Sequence, residues 1–289
     1  MTVCGNCKGS FQLVGAKSLT LSEFSVVFCP LCGVGRTKLI PAQLSMRSEA
    51  NEQFYNLPDR ISTYFGRRTE FFRRYGQSLA FARKHGKIDS CLDVGCNIGY
   101  WLHFLKMAGI SRVAGVEINA ACAGFGREVF GLDIVDNLDD LSGSFDLISL
   151  FDVLEHLDNP DAFLVGTLRF VHPGTLYFIQ LPNYKSWMAR YLGKAWLWWD
   201  VPDHLWHFNQ TSVTLLLLRA GLEIVELNTC DTVYDAVEYV LPEWIRPFAR
   251  LLTCVHRTSG YVYRKRGRGG LIQILATPTK VKPVREQTL

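Results

Sequence analysis

The stretch Leu92-Asp93-Val94-Gly95-Cys96-Asn97-Ile98-Gly99-Tyr100 decides the fold, because it joins a short apolar strand to a helix through a turn that contains glycine. Such a turn lets a ligand approach the backbone closely. The dinucleotide fingerprint G-x-G-x-x-G fails twice, since Asn97 and Tyr100 occupy its second and third glycine positions. Asp93 lies directly before the turn, where its charge would repel a pyrophosphate and attract a cation. The turn therefore predicts a positively charged ligand.

A second acid extends this prediction. Glu117 ends the next predicted strand, 24 residues after Asp93, and a carboxylate there can accept hydrogen bonds from both hydroxyls of a ribose. Asp136 and Asn137 follow the third predicted strand and offer polar groups where an adenine edge would lie. S-adenosylmethionine (SAM) combines a sulfonium and an ammonium with a ribose and an adenine. The pattern therefore favours SAM as the ligand.

Around this turn, short apolar runs alternate with helical patterns. This alternation predicts a parallel sheet covered by helices on both faces, with ligands bound beyond the carboxyl ends of its strands. The predicted strands are Cys91–Gly95, Val113–Glu117, Leu132–Asp136, Phe145–Phe151, Leu176–Leu181, Leu222–Leu227 and Leu271–Thr277.

From about Ser90 to Gly221 the chain resembles class I SAM-dependent methyltransferases, especially the small-molecule branch related to ubiquinone-biosynthesis enzymes. Four motifs carry the resemblance, in order: Asp93-x-Gly95-x-Asn97-x-Gly99, Glu117, the fourth-strand segment Phe145–Leu157, and Pro173-Gly174 before a strand that ends in Leu181-Pro182-Asn183. It implies an α/β fold with a Rossmann-like, doubly wound, seven-stranded sheet whose one antiparallel strand is Leu271–Thr277. The cofactor-binding residues that follow from the ligand argument and the resemblance are Asp93, Gly95, Asn97, Gly99, Glu117, Asp136, Asn137, Phe151 and Asp152.

The segment Trp196–Phe208 holds candidates for a catalytic base. The sulfonium already activates the methyl group, so the protein needs a base only when the acceptor is a hydroxyl or a weakly acidic carbon. The segment is similar to one in zinc-containing sugar methyltransferases, a likeness that implies His204 as the base and Asp203 as its orienting partner. His156 and His207 are further candidates for catalysis, because histidine titrates near neutral pH. The alternatives are a packing loop, a role for His156 in lining the cofactor pocket, and a metal site at His204 and His207.

Four cysteines near the start of the chain form the pairs Cys4-x2-Cys7 and Cys29-x2-Cys32. Two such pairs, each in a tight turn, predict a closed tetrahedral zinc site that folds the module and leaves no open position for chemistry. The alternative is four reduced cysteines without a metal. Nine cysteines cannot all pair within the chain, and in a reducing compartment such C-x2-C pairs bind metal more often than they form disulfides.

Four regions follow from these patterns: a zinc-ribbon-like module at 1–40, a linker and helical lid at 41–89, the methyltransferase domain at 90–279, and a flexible tail at 280–289. Aromatic and apolar residues between Arg60 and His85 recur at helical spacing, interrupted near Gly66. This helix either packs on the next domain or covers a ligand as an aromatic lid.

Composition restricts the classes of partner. The 289 residues are 48% hydrophobic and 20% charged, with a formal net charge of +4, which is mild for a nucleic-acid binder. No apolar run reaches the roughly 18 residues of a membrane helix, and the first residues lack a signal-peptide pattern, so a cytoplasmic protein is expected. The amphipathic stretch Val240–His256 predicts packing on the domain or on the second subunit of a homodimer, or else peripheral membrane contact. The basic segment Tyr261–Arg268 is either a solvated turn or a phosphate-attracting loop.

The sequence thus favours an enzyme that moves a methyl group from SAM to oxygen or carbon of a small metabolite, such as a sugar, a nucleotide sugar or a specialised metabolite. The alternatives are a zinc-containing RNA methyltransferase and a non-catalytic binding protein. The mild charge and the absence of the proline-aromatic segment of base-modifying enzymes weigh against RNA. The intact acids and glycines of the turn weigh against a binding protein.

Overall fold

The computed structural model describes residues 2–6, 8, 10–11, 18–21, 24–39, 56–230 and 267–279. Its amino-terminal part contains short antiparallel strands, and β4 is the predicted strand before the second cysteine pair. In β4 the side chains of Phe24 and Val26 are buried, as the period-two pattern of a half-buried strand requires. These strands are β1 (Thr2–Val3), β2 (Ser10–Phe11), β3 (Ser18–Leu21), β4 (Phe24–Phe28) and β5 (Gly35–Lys38).

A seven-stranded sheet lies at the centre of the protein, in the order β12-β13-β10-β9-β6-β7-β8. Its strands match the predicted ones to within a few residues, and β13 is antiparallel to both neighbours, so the predicted fold class is confirmed. The inner strands are almost wholly apolar because helices cover both faces. The strands are β6 (Ser90–Val94), β7 (Arg112–Val116), β8 (Asp133–Val135), β9 (Leu147–Phe151), β10 (Leu176–Pro182), β12 (Leu222–Cys230) and β13 (Leu271–Pro278).

Helices connect these strands, and polar caps fix where several of them begin. Asn119, Asn159 and Ser186 each accept a hydrogen bond from a backbone N–H of the first turn, and Asn209 forms a capping box with Ser212. The helices are α1 (Leu57–Gly66), α2 (Arg68–Arg83), α3 (Tyr100–Met107), α4 (Ala120–Phe130), α5 (Pro160–Thr167), α6 (Trp187–Leu192) and α7 (Gln210–Arg219). The predicted interruption near Gly66 separates α1 from α2.

Strand order reverses at β6, because the chain runs from β6 to β7 and β8 on one side and later returns through β9 and β10 on the other. The carboxyl ends of β6, β7 and β9 therefore meet at one edge, where such sheets bind ligands. The two-residue strand β11 (Trp206–His207) does not join this sheet but pairs with β5, so the amino-terminal strands and the segment after β10 share a four-stranded sheet.

Some predicted features lie outside the described residues: Cys7, most of the linker, the helix at Val240–His256, most of the basic segment Tyr261–Arg268, and the tail at 280–289. None of the helices in the described ranges is long and apolar enough to cross a membrane.

We expect Gly99→Ala to lower the free energy of unfolding by at least about 1 kcal/mol, because residue 99 has a left-handed backbone that an L side chain adopts at a cost. An added Cβ would also lie 2.4 Å from Leu132 Cδ1. Urea denaturation measures the change. Gly166→Ala, in a helical position with open space around the new methyl group, is the matched control and should not destabilise. Equal stability of the two variants would contradict this account of the turn.

Candidate functional site

The turn after β6 is built so that its backbone faces the sheet edge. Gly95 and Gly99 have φ angles of +72° and +74°, and Asn97 has a φ of +53°. A Cβ at residue 95 would lie 2.8 Å from Val153 Cγ2, so this position also lacks space for a side chain. Asparagine tolerates the left-handed region better than most residues, and the Asn97 side chain accepts a hydrogen bond from Ile98 N at 2.9 Å. Asn97 therefore maintains the turn although it replaces a glycine.

Glu117 ties the first two strand ends together. Its Oε2 accepts a hydrogen bond from Asn97 N and its Oε1 accepts one from Asn119 N, both at 2.8 Å. The side chain is buried, and this burial raises its pKa against the opposing effect of the backbone N–H donors. Each carboxylate oxygen can accept a further hydrogen bond, so the geometry suits a ligand with two neighbouring hydroxyls.

Asp93 lies under the turn as a buried carboxylate. Ser149 Oγ donates to its Oδ1 at 2.6 Å, and Trp101 Nε1 donates in turn to Ser149 Oγ at 3.1 Å. Burial raises the pKa of Asp93 to about 7, although the hydrogen bond from Ser149 lowers it. Loss of solvation therefore disfavours the charged form, and a cationic ligand beside Asp93 would restore it.

A cavity of about 250 Å³ opens at this sheet edge. The turn and β9 form one side, and helices α1 and α2 contribute Tyr64, Phe71 and Tyr75. Tyr75 is also buried against Trp101, with ring centroids 5.1 Å apart, so this helical pair both packs on the domain and covers the cavity. The lining residues are Arg60, Tyr64, Phe71, Arg74, Tyr75, Ser78, Asp93, Gly95, Cys96, Asn97, Trp101, Phe151, Asp152, His156, Gln180, Trp198, Asp200 and His204.

His204 has one ring nitrogen that can act as an acceptor. Its Nδ1 lies 3.0 Å from the carbonyl oxygen of Trp198, which only accepts hydrogen bonds, so Nδ1 carries the proton and Nε2 holds a lone pair. Nε2 is 3.8 Å from Asp200 Oδ2. Burial, and then the charge of His156, hold the pKa of His204 well below its usual value. The ring is therefore neutral at pH 7, as a proton acceptor must be.

Asp203 pairs with His156 rather than with His204, which corrects the expected pairing. Asp203 Oδ2 lies 3.4 Å from His156 Nδ1, and Asp203 is buried behind the cavity wall. Burial lowers the pKa of His156, but the close carboxylate of Asp203 and the charge of Glu155 outweigh it, so the net shift is upward. The two imidazoles meet edge to face with centroids 4.6 Å apart. The cavity thus contains one histidine that tends to be charged beside one that is neutral.

Six of the predicted catalytic and cofactor-binding residues do not line the cavity, namely Gly99, Glu117, Asp136, Asn137, Asp203 and His207. His207 is buried and its Nε2 lies 2.9 Å from Thr37 Oγ1, while burial lowers its pKa to about 3. At the end of β8, Asp136 forms an ion pair with Arg127 at 3.3 Å, and Asn137 Oδ1 accepts a hydrogen bond from Asp139 N. Because Nε2 of His207 is paired with Thr37, His207 is not positioned to bind a metal ion together with His204.

A different group of three residues brings together atoms that could act as ligands of a divalent cation. One carboxylate oxygen of Glu155 and one ring nitrogen each of His156 and His204 lie within 4.8 Å of one another. Neither carboxylate oxygen of Glu155 has a hydrogen-bond partner among the described residues, and burial raises the pKa of Glu155 to about 8. A buried carboxylate with two imidazoles is a donor set that several divalent metals accept.

Three of the four cysteines, Cys4, Cys29 and Cys32, meet at one point in the amino-terminal module. The Sγ atoms of Cys4, Cys29 and Cys32 lie within 4.8 Å of one another, and those of Cys4 and Cys32 are 3.8 Å apart. Two thiolates bound tetrahedrally at about 2.3 Å from zinc would be about 3.8 Å apart, so the spacing fits that metal. A hydrogen bond from Cys4 lowers the pKa of Cys32 to about 4, which favours the thiolate that a metal needs.

Several cavity residues were missed by the sequence analysis. Arg60 and Arg74 lie on the predicted helix, and nothing in its periodicity marks them as lining a site. Gln180 carries a detectable signal, since it is a polar residue within an apolar strand, and its Nε2 donates to Asp152 Oδ2 at 3.2 Å. Asp200 lies in the segment Trp196–Phe208, which the sequence marks as a source of candidate bases. Its position beside His204 depends on the path of this loop.

Because the pKa of Asp93 is raised to about 7, we expect the affinity for SAM to increase as the pH rises through about 7, when this carboxyl group ionises. Binding near pH 6.5 should then release protons, which calorimetry detects as a dependence of the heat on buffer ionisation enthalpy. Asp93→Asn should weaken binding and remove this part of the proton release. Asp133→Asn, at an exposed acid of β8, is the control. Unchanged proton release in Asp93→Asn would contradict the prediction.

The family described as Methyltransferase domain matches residues 64–227. Among curated proteins, the mitochondrial ubiquinone biosynthesis O-methyltransferase of Dictyostelium discoideum is 26% identical over 140 residues, which are 41% of this chain and 44% of that protein. The ubiquinone biosynthesis O-methyltransferase of Aromatoleum aromaticum is 22% identical over 152 residues, 47% of this chain and 64% of that protein. The chain therefore spans less than two thirds of the length of these relatives.

Solved structures show the same fold at low identity. A SAM-dependent methyltransferase from Thermotoga maritima has a TM-score of 0.52 and 16% identity, with 78% of this chain and 97% of that chain covered. The plantazolicin methyltransferase in complex with S-adenosylhomocysteine (SAH) has a TM-score of 0.53 and 14% identity, with 83% and 97% covered. Because the family match covers more than half of the chain and the sheet has the expected order, the protein belongs to the methyltransferase-domain family and has the class I SAM-dependent methyltransferase fold.

Proposed function

We propose that this protein transfers a methyl group from SAM to an oxygen or carbon atom of a small metabolite held in the cavity. One observation carries the proposal: the turn of Asp93 and Gly95 opens into the same cavity as two adjacent imidazoles, the half-buried His156 and the buried His204. A cofactor on the turn and an acceptor beside the imidazoles would then meet in one enclosed space, where water is excluded and the reacting atoms are aligned.

The cofactor side of the cavity has groups for each part of SAM. Glu117 would accept the ribose hydroxyls, Asp93 would face the cationic end, and the αL turn allows close approach. Arg74 lines the cavity, and its guanidinium would balance the carboxylate of the cofactor. Ile118, directly after Glu117, is 88% exposed, and an adenine ring packed there would cover this apolar side chain.

When bound, SAM supplies a methyl group that is already activated by the sulfonium. The residues of this chain would orient the acceptor and remove its proton. His204 is the proposed base because Nε2 is free of a proton and the ring is neutral, while the pair of His156 with Asp203 holds its own proton in place. The acceptor would thus lie at Nε2 of His204, opposite the cofactor turn.

The acceptor class is proposed from the chemistry of the cavity. A lining of tyrosines, two tryptophans and a few charged groups suits a hydroxylated small molecule such as a sugar, a nucleotide sugar or a specialised metabolite. The two relatives are named as O-methyltransferases of ubiquinone biosynthesis. This adds hydroxylated aromatic compounds to the candidate acceptors.

A transfer assay with methyl-labelled SAM tests this proposal on a panel of sugars, nucleotide sugars, phenols and structured RNA. We expect label in at least one small molecule, with transfer that varies little with salt. Label only in RNA, with transfer that falls steeply as salt is raised, would favour the RNA alternative. Binding of SAH without label in any acceptor would contradict the proposed acceptor class.

Once an acceptor is known, we expect His204→Gln to lower kcat by about 10²-fold or more, because general-base catalysis contributes on that scale. The affinity for SAH should stay unchanged, since the cofactor turn is on the other side of the cavity. His85→Gln, at a surface histidine that pairs with Glu226, is the control. Turnover of His204→Gln near that of the unmodified protein would exclude His204 as the base.

We also propose that Cys4, Cys29 and Cys32, with Cys7, bind one structural zinc ion. The purified chain should contain about one zinc per molecule, because the spacing of the thiols fits tetrahedral coordination. Cys32→Ser should lose most of the metal and unfold at a lower temperature, and Cys230→Ser, on β12, should keep both. Metal analysis and a thermal melt measure these effects. Full zinc content in Cys32→Ser would refute the assignment of that ligand.

A further inference from the structure

The amino-terminal module that contains Cys4, Cys29 and Cys32, the cysteine module, is joined to residues 204–207, the part of the cavity wall that begins with His204. Its strand β5 pairs antiparallel with β11, with Arg36 opposite Trp206 and Gly35 opposite His207. Thr37 N also donates to Leu205 O at 2.9 Å, which continues the pairing towards the cavity. The residues that directly follow His204 are therefore held by a strand from the other end of the sequence.

The hydroxyl group of Thr37 forms hydrogen bonds with two buried groups of this segment. Thr37 Oγ1 donates to the carbonyl oxygen of His204 at 2.6 Å, and the same oxygen lies 2.9 Å from His207 Nε2. Because the hydroxyl has a single proton, which goes to the carbonyl, His207 must donate through Nε2–H. All three residues are buried, so water does not replace either bond.

The other side of the same segment is fixed to the methyltransferase domain. Leu205 N and Trp206 N both donate to the carbonyl oxygen of Glu155, at 2.8 and 3.0 Å. Residues 204–207 thus lie between β5 of the module and the residue before His156. A shift of β5 would move His204 relative to His156, and the distance between the two imidazoles depends on this placement.

The cysteine cluster anchors β5 at its start. Cys29 N donates to Val34 O and Gly33 N donates to Cys29 O, which closes the turn between the second cysteine pair and β5. Asn6 Nδ2 donates to Cys32 Sγ at 3.5 Å and to Ser212 O at 3.0 Å, so the cluster is also joined to the first turn of α7. A metal on these thiols would therefore fix β5 in relation to the cavity wall.

We propose that Thr37 is a positioning residue for His204, and that the metal-loaded cysteine module holds the acceptor side of the cavity while residues outside the module hold the cofactor side. The bonds of Asp93, Asn97 and Glu117 reported above all go to residues 93–149, none of which belongs to the module. The importance of this placement for turnover rests on the proposed role of His204 as the base. The placement itself does not depend on that role.

The test compares Thr37→Val, which removes the hydroxyl but keeps the shape, with Thr37→Ser, which keeps the hydroxyl. Thr20→Val, at an exposed residue of β3, is the control within the same module. All variants are used as full chains with zinc content and SAH affinity measured first. We expect SAH affinity within about twofold in every variant, because sites without shared partners act independently.

Hydrogen exchange then reports on the wall without any need for an acceptor. In Thr37→Val the amides of Leu205 and Trp206 should exchange about tenfold faster, and the ¹⁵N signals of His207 should lose the Nε2–H pattern, whereas Thr37→Ser restores both. Unchanged exchange at residues 205–207, or faster exchange spread equally over β6 and β9, would overturn the positioning role. With an acceptor in hand, kcat should fall about tenfold with the KM for SAM unchanged.

Removal of the metal from the unmodified chain tests the second half of the proposal. We expect the same amides to exchange faster while SAH still binds. Loss of SAH binding together with the metal would overturn the division between the two sides. If the chain binds no metal, the proposed role of the metal is wrong. If Thr37→Val still speeds exchange at residues 205–207 in that chain, the positioning role of Thr37 is supported. If His204→Gln retains turnover, the proposed base is wrong, and the exchange results still decide the placement.

Discussion

The site depends on the carboxylate of Glu117, on which two backbone N–H groups converge. Asn97 N and Asn119 N bind different oxygens of this side chain, and so link the loops after β6 and β7. A buried carboxylate is costly unless such donors compensate for the lost solvation. Here the donors also fix the αL turn, so the cofactor surface is formed before a ligand arrives. Each carboxylate oxygen of Glu117 can still accept a hydrogen bond from that ligand.

A group of desolvated acids lies in and beside the cavity wall. Burial raises the pKa values of Asp152, Glu155 and Asp200 to about 6, 8 and 6. Carboxyl groups with values this far above normal oppose folding when they ionise, so stability falls as the pH rises from about 4 towards these values. Such a cluster next to two imidazoles is typical of sites where function is maintained at the expense of stability. The charge on His156 partly compensates Glu155 and Asp200, and the charge on Arg74 does so for Asp152.

The amino-terminal module and the methyltransferase domain meet through backbone pairing, not only through side chains. Gly33 O accepts from Asn209 Nδ2 at 3.1 Å, close to the point where β5 pairs with β11. A Cβ at Gly35 would lie within about 3 Å of side-chain atoms of Val26, Phe28 and His207, so these side chains already fill the space that a larger residue would need. This close contact places the thiol cluster at the outer side of the wall that holds His204.

Local sequence determined the strands, the helix breaks, the αL turn and the family, because each depends on periodicity or on residues close together in the chain. The same local reasoning found the cysteine pairs and the segment that contains His204. The tertiary structure alone decided that Asp203 faces His156, that His207 faces Thr37, and that Arg74 and Gln180 line the cavity. These partners are far apart in sequence or lie in loops whose path no periodic pattern encodes. Long-range packing sets that path, since a buried polar group binds whichever partner the fold brings to it.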